Sequence, residues 1–173
     1  IGDSIINTDE LEQAKFKNLK TIPLLVDVDK IRADKYNAEL LSSLRGVVNL
    51  LFVGRICENK QQLALLDVLA DLKSNYNQPV RLILAGATTS GAYEAQIKEK
   101  IVDLGLAQNV VLTGKISQVD LLAYYRAADV FVCMSQHEGF GMPLIESMVF
   151  DVPVLAHAAS GIPGTMGEGG LLL

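Results

Sequence analysis

The sequence predicts a doubly wound α/β domain that is built on a parallel sheet of about six strands. Two observations support this prediction. Short apolar runs alternate with amphipathic helical patterns, as expected when crossover helices join parallel strands. The apolar runs are also nearly continuous, which is typical of strands whose two faces are both buried. With 50% hydrophobic residues and a mean hydropathy of +0.29, the 173-residue chain can bury a sizeable core.

Strands and helices alternate along the chain from residue 47 onward. The predicted strands are Val47–Val53, Val80–Ala85, Asn109–Thr113, Val130–Met134, Pro153–Ala156 and the terminal leucines 171–173. The predicted helices between them are Lys60–Lys73, Ala92–Leu104, Gln118–Ala127 and Pro143–Val149. Ser117 with Asp120, and Asn59 with Gln62, approximate capping boxes at two helix starts. Gly105 is placed to end its helix as a C-terminal cap.

The first 45 residues have a different pattern. Leu19–Val26 is predicted as a strand between polar helical stretches near Glu10–Lys17 and Lys35–Leu44. We interpret residues 1–45 as a linker or arm from a missing N-terminal domain. Residues 46–173 are then a ligand-binding domain that we expect to be truncated at its C-terminal end, because the sequence stops in an apolar run.

Composition excludes several classes of protein. A net charge of −5 without a cluster of Lys and Arg argues against nucleic-acid binding. Cys57 and Cys133 lie on separate predicted elements without metal-ligand spacing, so we expect free thiols in a reducing compartment. No apolar run approaches the ~20 residues of a membrane helix, and no signal peptide opens the chain. We expect a soluble, cytoplasmic protein, with peripheral membrane contact of the full-length protein left open.

Two carboxylates, Glu138 and Glu146, bracket a glycine-rich turn that leads into a helix. Pro143 suits the first helical position, because its missing N–H would have no intrahelical partner there. The backbone amides predicted to face a ligand are those of Gly139, Phe140, Gly141, Leu144 and Ile145. Such a turn favours an anion, and flanking acids can accept hydrogen bonds from sugar hydroxyls. The segment therefore predicts a pocket for a phosphorylated sugar.

A second candidate loop, residues 54–60, follows the first predicted strand of the sheet. In a doubly wound sheet, ligands bind beyond the carboxyl ends of the strands. Arg55 can donate two hydrogen bonds to phosphate oxygens, and Lys60 adds a second positive charge. A solvated loop that pairs with Glu58 is the alternative. The presence of the acid-flanked turn in the same chain favours a diphosphate site.

Taken together, these motifs resemble the C-terminal, donor-binding domain of a GT-B glycosyltransferase. The likeness rests on Gly54-Arg55 with Lys60, Ser135, Glu138-Gly-Phe-Gly with Glu146, and Pro153-Val-Leu-Ala. It covers residues 20–173, and the similar enzymes are the retaining, group 1 transferases of family four. The resemblance implies two Rossmann-like domains with the active site in the cleft between them. This chain would supply only the donor-binding domain.

The resemblance also implies a role for each matching position. Arg55 and Lys60 would hold the donor diphosphate and stabilise it as it leaves. Glu146 would accept hydrogen bonds from the ribose, and Glu138 would face the donor sugar and the anomeric carbon. Ile116 would lie near the base. The complete predicted donor site is Gly54, Arg55, Lys60, Ile116, Glu138, Gly139, Phe140, Gly141, Met142 and Glu146, with Arg55, Lys60 and Glu138 as catalytic residues.

The enzyme implied by the resemblance is a hexosyltransferase of polysaccharide or glycolipid synthesis. It would use a UDP- or GDP-sugar donor without a metal or other cofactor. A carbohydrate or lipid-linked acceptor would bind through the missing N-terminal domain, so we expect the isolated chain to be inactive. Two alternatives stay open. One is an epimerase or phosphorylase with a related two-domain fold, and the other is a non-catalytic nucleotide-binding module.

Some segments depart from the family pattern or have competing interpretations. Gly164 stands where many relatives have Glu, and Ala87–Gly91 replaces an acidic, proline-bearing turn. Asp27-Val-Asp29 mimics a metal-binding Asp-x-Asp motif, but its place in the arm argues against metal binding. His137 neighbours Glu138, and an exposed loop histidine is a simpler interpretation than an acid or base.

Overall fold

The computed structural model describes residues 5–22 and 24–173, which contain a six-stranded parallel sheet. The strands are β1 (Val48–Val53), β2 (Val80–Ala85), β3 (Val110–Gly114), β4 (Val130–Cys133), β5 (Val154–Ala156) and β6 (Leu171–Leu172). The helices are α1 (Ile5–Gln13), α2 (Val28–Ala33), α3 (Ala38–Ser43), α4 (Gln62–Asn75), α5 (Gly91–Asp103), α6 (Gln118–Ala127), α7 (Met142–Val149) and α8 (Ile162–Met166). The strand order β3-β2-β1-β4-β5-β6 confirms the predicted doubly wound, Rossmann-like sheet.

The order in which strands are added to the sheet changes side at β1 and β4. These two strands are parallel neighbours and pair at Leu50 and Val130. From β1 the chain moves outward through β2 to β3, and it then returns to the other side of β1. Since all strands are parallel, their carboxyl ends meet at one edge of the sheet. The loops that leave β1 and β4 therefore flank the switch point, where ligands bind in sheets of this kind.

Helices cover the two faces of the sheet in separate groups. Asn49 and Phe131 point toward α6, since the Asn49 amide donates to the carbonyl of Ala127 at 3.0 Å and the ring of Phe131 stacks on Tyr125. We call this side the α6 face, and it also packs α7, which in turn contacts α8. The opposite side, with Leu50, packs against α4 and is called the α4 face. Right-handed crossovers produce this division.

The core lies mainly where helices cover both faces. On β1 and β2, Phe52, Leu82 and Leu84 belong to the α4 face, and Leu51 and Ile83 to the α6 face; all five are buried. This double burial explains why the strands are continuous apolar runs. Across the described residues, no helix is both long and apolar enough to cross a bilayer.

Residues 27–45 pack against α6 and α7. The Arg32 side chain donates to the carbonyl of Val149 at 2.6 Å, and Asn37 donates to the Asp120 carboxylate at 2.8 Å. The hydrogen bonds from Asn37 and Ser117 lower the pKa of Asp120. The helix α2 within this segment was not predicted from the sequence.

The predicted strand Leu19–Val26 is wrong for the residues that the structure describes. Position 23 lies outside them, and of the others only Thr21 forms an isolated bridge, apart from the six-stranded sheet. Leu25 is 99% exposed, and Ile22 and Leu24 are also exposed. An apolar run becomes a buried strand only where a neighbouring strand and a packing layer accept it, and this segment has neither within the described contacts.

Two of the three predicted helix caps are confirmed. The Ser117 hydroxyl accepts from the amide of Asp120 at 3.1 Å, and Gly105 follows α5 with a φ of +62°. The cap at Asn59 is wrong. Glu58–Lys60 forms a 3-10 turn instead, and α4 begins after Gln61, whose φ of +56° is left-handed. This turn carries Lys60 inward rather than along the helix.

Candidate functional site

The loops after β1 and β4 meet at the carboxyl edge of the sheet. The Lys60 ammonium lies 2.6 Å from the Glu138 carboxylate and donates to the carbonyl of His137 at 2.9 Å. The amide of Gln136 also donates to the carbonyl of Asn59 at 2.9 Å. Two segments that are 77 or more positions apart in sequence thus share one site. The predicted convergence of residues 54–60 with the acid-flanked turn is observed.

Burial makes the ion pair between Lys60 and Glu138 unusual. The Lys60 side chain is 9% exposed and that of Glu138 is 20% exposed. Charged side chains are seldom buried unless they are paired, because desolvation disfavours an isolated charge. The described contacts satisfy Lys60 with one carboxylate and one carbonyl. The sequence therefore places a lysine in the protein interior at the switch point of the sheet.

The start of the first loop is fixed by its backbone. The carbonyl of Arg55 accepts from the Gln62 side chain at 2.9 Å, and the Arg55 residue itself is exposed. Gly86, after β2, lies so close that a Cβ added there would stand 1.9 Å from the carbonyl oxygen of Gly54. The loops after β1 and β2 can approach this closely only because position 86 is glycine.

The turn from Glu138 to Gly141 is held by the segment around α8. The carbonyl of Glu138 accepts from the amide of Gly161 at 2.9 Å and from the Ser160 hydroxyl at 3.0 Å. The Thr165 hydroxyl donates to the carbonyl of Phe140. The helix α8 begins at Ile162, directly after Gly161, in a glycine-containing segment for which no helix was predicted. Ser160 and Thr165 were not predicted, since a single hydroxyl in a loop has no pattern.

The helix α7 begins one residue earlier than predicted, at Met142, with Pro143 in its second position. Gly141 precedes it with a φ of +77°, a conformation that favours glycine. The prediction that the Leu144 amide faces a ligand is wrong, because this amide donates to the carbonyl of Gly141 at 2.9 Å. The first turn of α7 therefore already uses the Leu144 amide, which is not available to a ligand. The amides of residues 139–141 lie between Glu138, which pairs with Lys60, and this first turn of α7 in the chain.

Glu146, on the second turn of α7, accepts a hydrogen bond from the Tyr125 hydroxyl at 2.6 Å. Burial, reinforced by the negative charge of Glu146, raises the pKa of Tyr125 well above its ordinary value. Tyr125 therefore stays protonated and donates to the carboxylate. The interaction fixes the orientation of Glu146 from the α6 side. Tyr125 lies within the predicted helix Gln118–Ala127, and nothing in the sequence indicated this hydrogen bond.

Ile116 follows β3 at the same edge and is half-buried against the core. No described contact joins it to the Lys60–Glu138 pair. A cavity of about 290 Å³ opens between the carboxyl ends of β1, β2 and β3. It is lined by Ile56, Leu84, Gly86, Thr88, Glu94, Lys98, Leu112, Thr113 and Gly114. The predicted site residues thus lie at the carboxyl edge of the sheet. Ile116 lies two residues after β3, the strand whose end lines one side of this cavity.

The other candidates have structural roles. Asp27 caps α2 by accepting from the amide of Lys30 at 3.0 Å. The His137 ring is 51% exposed, lies 3.3 Å from the Ser160 hydroxyl and is 3.7 Å from the Glu10 carboxylate. Cys57 and Cys133 are free thiols, as predicted. Within residues 7–22 and 24–173, His, Cys, Asp and Glu form no cluster of three or more that could hold a metal ion.

A further residue at the turn comes from α1. A Cβ added at Gly139 would lie 2.8 Å from the side-chain amide of Asn7. The Glu10 carboxylate lies one helical turn further along α1 and approaches His137. The face of α1 with Asn7 and Glu10 therefore lies against the acid-flanked turn. The sequence did not predict this contact, because a polar arm has no periodic signal that specifies its neighbour.

Comparison with known proteins identifies relatives that share this arrangement of elements. Residues 46–172 match the family model for glycosyl transferases group 1. The chain is 32% identical over 165 residues to the alpha-monoglucosyldiacylglycerol synthase of Streptococcus pneumoniae, covering 91% of this chain and 36% of that protein. It is also 32% identical over 116 residues to the mannosylfructose-phosphate synthase of Agrobacterium fabrum, covering 65% of this chain and 26% of that protein.

Solved structures agree on the fold. Anabaena HepE superposes with a TM-score of 0.84 at 24% identity, over 99% of this chain and 48% of that chain. The sucrose-phosphate synthase of Thermosynechococcus elongatus gives a TM-score of 0.79 at 27% identity, over 99% of this chain and 44% of that chain. The chain spans less than half the length of each of these relatives. It belongs to the group 1 glycosyltransferases, and its sheet is that of a GT-B glycosyltransferase domain.

Proposed function

We propose that this chain is the donor-binding domain of a retaining glycosyltransferase, and that its donor is a nucleotide-diphosphate sugar. The observation that carries the proposal is the buried contact of Lys60 with Glu138 at the switch point. A cation for the diphosphate and a carboxylate for the sugar would then act on neighbouring parts of one donor molecule.

The donor diphosphate would be bound by positive groups of this chain. A lysine ammonium has three N–H donors, and the described contacts of Lys60 with Glu138 and His137 use two of them. The third donor and the exposed Arg55 guanidinium are available for phosphate oxygens. The amides before α7 add partial positive charge. These groups would stabilise the leaving diphosphate without a metal ion.

The two carboxylates would bind the sugar parts of the donor. Glu146 is oriented by Tyr125 and would accept from the ribose hydroxyls. Glu138 would face the transferred hexose, where its charge can stabilise positive charge at the anomeric carbon. Ile116 would pack near the base, beside the cavity at the ends of β1, β2 and β3.

The names of similar proteins support this proposal. HepE structures contain UDP, UDP with glucose, or UDP-glucose. The alpha-monoglucosyldiacylglycerol synthase is named for a lipid product and the mannosylfructose-phosphate synthase for a sugar phosphate. We infer that the full-length protein, acting in the cytoplasm, transfers a hexose to a carbohydrate or lipid-linked acceptor. The acceptor would bind outside this chain, so the chain alone would bind donor without transferring its sugar.

Calorimetric titration of the chain with UDP, GDP and UDP-glucose tests the binding site. We expect Arg55→Ala to weaken nucleotide binding about tenfold or more, because a charge-assisted hydrogen bond is worth about 1.5–3 kcal/mol. Arg45→Ala is the matched control, since Arg45 is an exposed arginine just before the opposite end of β1. EDTA should leave the affinity unchanged. Equal affinities of the two variants would contradict the assignment of Arg55.

Assays of the full-length protein test the reaction itself. Transfer to an added acceptor with retention at the anomeric carbon is the expected result. Donor consumption without an acceptor would indicate an epimerase instead. Donor binding without any turnover would indicate a non-catalytic nucleotide-binding module. Either of these two results would overturn the proposed transfer while leaving the binding site intact.

A further inference from the structure

The carboxylate of Glu146 differs from that of Glu138 in the kind of partner it has. Glu138 is paired with the Lys60 ammonium, whereas no Lys, Arg or His among the described residues forms an ion pair with Glu146. The described partner of Glu146 is the neutral hydroxyl of Tyr125, which donates to Oε2 at 2.6 Å. Glu146 is also half-buried. A partly buried negative charge on α7 is therefore balanced by one neutral hydrogen-bond donor and by no cation of the described chain.

The Glu146 carboxylate keeps most of its capacity to accept hydrogen bonds. An ionised carboxylate has about four lone-pair sites, and the described contact with Tyr125 occupies one of them. Burial of a charge is costly unless hydrogen bonds satisfy it, so a ligand that brings further donors is favoured at this position. Two neighbouring hydroxyls on one ring supply two donors to one carboxylate. The unused sites of Glu146 thus fit a vicinal diol, which is the chemistry of a ribose.

Tyr125 can hold this carboxylate but cannot contact a ligand itself, because its exposed fraction is 0%. Burial, followed by the negative charge of Glu146, raises the pKa of Tyr125, so the phenol stays protonated. Its proton is therefore permanently available to Oε2 of Glu146. The other carboxylate oxygen, Oε1, has no described partner on α6.

Aromatic packing holds the ring of Tyr125 in one position. The ring stacks on Phe131 of β4 at a centroid distance of 6.4 Å and on Phe150, just after α7, at 5.9 Å. Glu146 and Phe150 are four positions apart, so they lie on the same side of α7 and Tyr125 contacts both. The Arg126 guanidinium, 4.5 Å from the centre of the Phe150 ring, packs on the same cluster. The Tyr125 hydroxyl is thus fixed relative to both α7 and the sheet.

We propose that Tyr125 is a positioning residue for ribose recognition, which holds Oε2 of Glu146 so that Oε1 meets the vicinal hydroxyls of the donor nucleotide. The inference rests on the proposed function, which supplies a nucleotide that contains a ribose. Its consequence is that a buried hydroxyl, outside the surface that touches the ligand, sets the preference for ribonucleotides over nucleotides without these hydroxyls.

Calorimetry of the full-length protein with UDP and GDP, and with the 2′,3′-dideoxy form of the nucleotide that binds more tightly, tests the inference. The wild type should bind the ribonucleotide about tenfold more tightly or better, because the dideoxy form lacks the charge-assisted hydrogen bonds to Glu146. In Tyr125→Phe this preference should fall about threefold or more, since groups that act together are coupled. The affinity for the dideoxy form should not change, because phenylalanine keeps the stacked ring and the phosphate contacts are elsewhere.

Tyr124→Phe is the matched control. Tyr124 is the preceding residue of α6, is also buried and has no described contact with Glu146, so this variant should keep the ribose preference of the wild type. Glu146→Gln should lower the preference by itself. Adding Tyr125→Phe to Glu146→Gln should cause little further loss, because Tyr125 acts through the carboxylate that is already absent.

The outcomes separate this inference from the proposed function. If Tyr125→Phe weakened the binding of both nucleotide forms equally, the role of Tyr125 would be structural and the inference would be overturned. An unchanged or increased ribose preference in Tyr125→Phe would overturn it as well. Equal binding of both forms by the wild type would remove ribose recognition while leaving the donor site in place. Failure of the wild type to bind UDP or GDP at all would overturn the proposed function and this inference together.

Discussion

Lys60→Met is the substitution whose effect on stability follows most directly from the structure. It removes the cation from a pair with a separation of 2.6 Å and leaves the Glu138 carboxylate, at 20% exposure, without that partner. Breaking a buried pair from one side costs about 3–5 kcal/mol. Because Glu138 retains some contact with water, we expect the lower value, about 3 kcal/mol. For a domain of this size, that loss lowers the melting temperature by about 6–12 °C.

A second Lys–Glu pair in the same chain provides the control. Lys98 lies 2.5 Å from Glu94 on α5, but its side chain is 62% exposed. Such an exposed helical pair is worth about 0.5 kcal/mol or less, so Lys98→Met should hardly change the melting temperature. Restoring neutrality with Glu138→Gln in the Lys60→Met background should recover most of the lost stability, because no unpaired charge remains buried.

Thermal unfolding of the isolated chain, followed by circular dichroism, gives the melting temperature of each variant. The four variants are Lys60→Met, Glu138→Gln, Lys98→Met and the double variant that combines the first two. The reasoning depends on burial, not on the length of the ion pair. It would be refuted if Lys60→Met and Lys98→Met lowered the melting temperature equally. Greater destabilisation of the double variant than of Lys60→Met would also refute it, since the neutral amide would then be worse than the unpaired carboxylate.

Two further predictions concern the turn and the thiols. Gly161→Ala would place a Cβ 2.0 Å from the Gly139 carbonyl oxygen, so the turn would have to shift. Calorimetry should then show weaker UDP binding, and the free energy of unfolding should fall by about 1–3 kcal/mol. The control is Gly164→Ala, where no heavy atom lies within 4 Å of the new Cβ, so UDP affinity should not change. Equal UDP affinities of the two alanine variants would contradict the steric argument. UDP should slow alkylation of Cys57, which lies within the loop of residues 54–60, in a mass-spectrometric assay. Burial raises the pKa of the Cys133 thiol, so Cys133 should react slowly at about pH 8 with or without UDP.

The sheet could be predicted because each strand is specified by its own residues. Val80–Ala85 was placed at the observed bounds, and the other strands and the four crossover helices differ from their predicted bounds by at most two residues. Continuous apolar runs, separated by amphipathic helices, determine both the strand positions and the burial on two faces. The carboxyl edge then follows from parallel pairing, so the position of the site could be predicted as well.

The details of the site depend on contacts between distant segments, which local patterns do not encode. The burial of Lys60 results from a 3-10 turn and a left-handed Gln61, where a regular helix start was predicted. Glu146 was recognised by its position, but its hydrogen bond to Tyr125 required α6 and α7 to be placed side by side. The predicted strand Leu19–Val26 was wrong for the same reason, since its described residues belong to none of the six strands of the sheet.

The charge balance at the edge of the sheet assigns different tasks to the two basic residues. Lys60 is paired with Glu138, and two of its three N–H donors hold the turn in place, which leaves one donor for a phosphate oxygen. Arg55 is exposed, so its charge remains available to an incoming diphosphate. Loss of Lys60 should therefore reduce both the stability of the domain and its affinity for the donor, whereas loss of Arg55 should mainly reduce affinity and its dependence on salt. If Lys60→Met and Arg55→Ala lowered affinity and stability in the same proportion, the two residues would share one role.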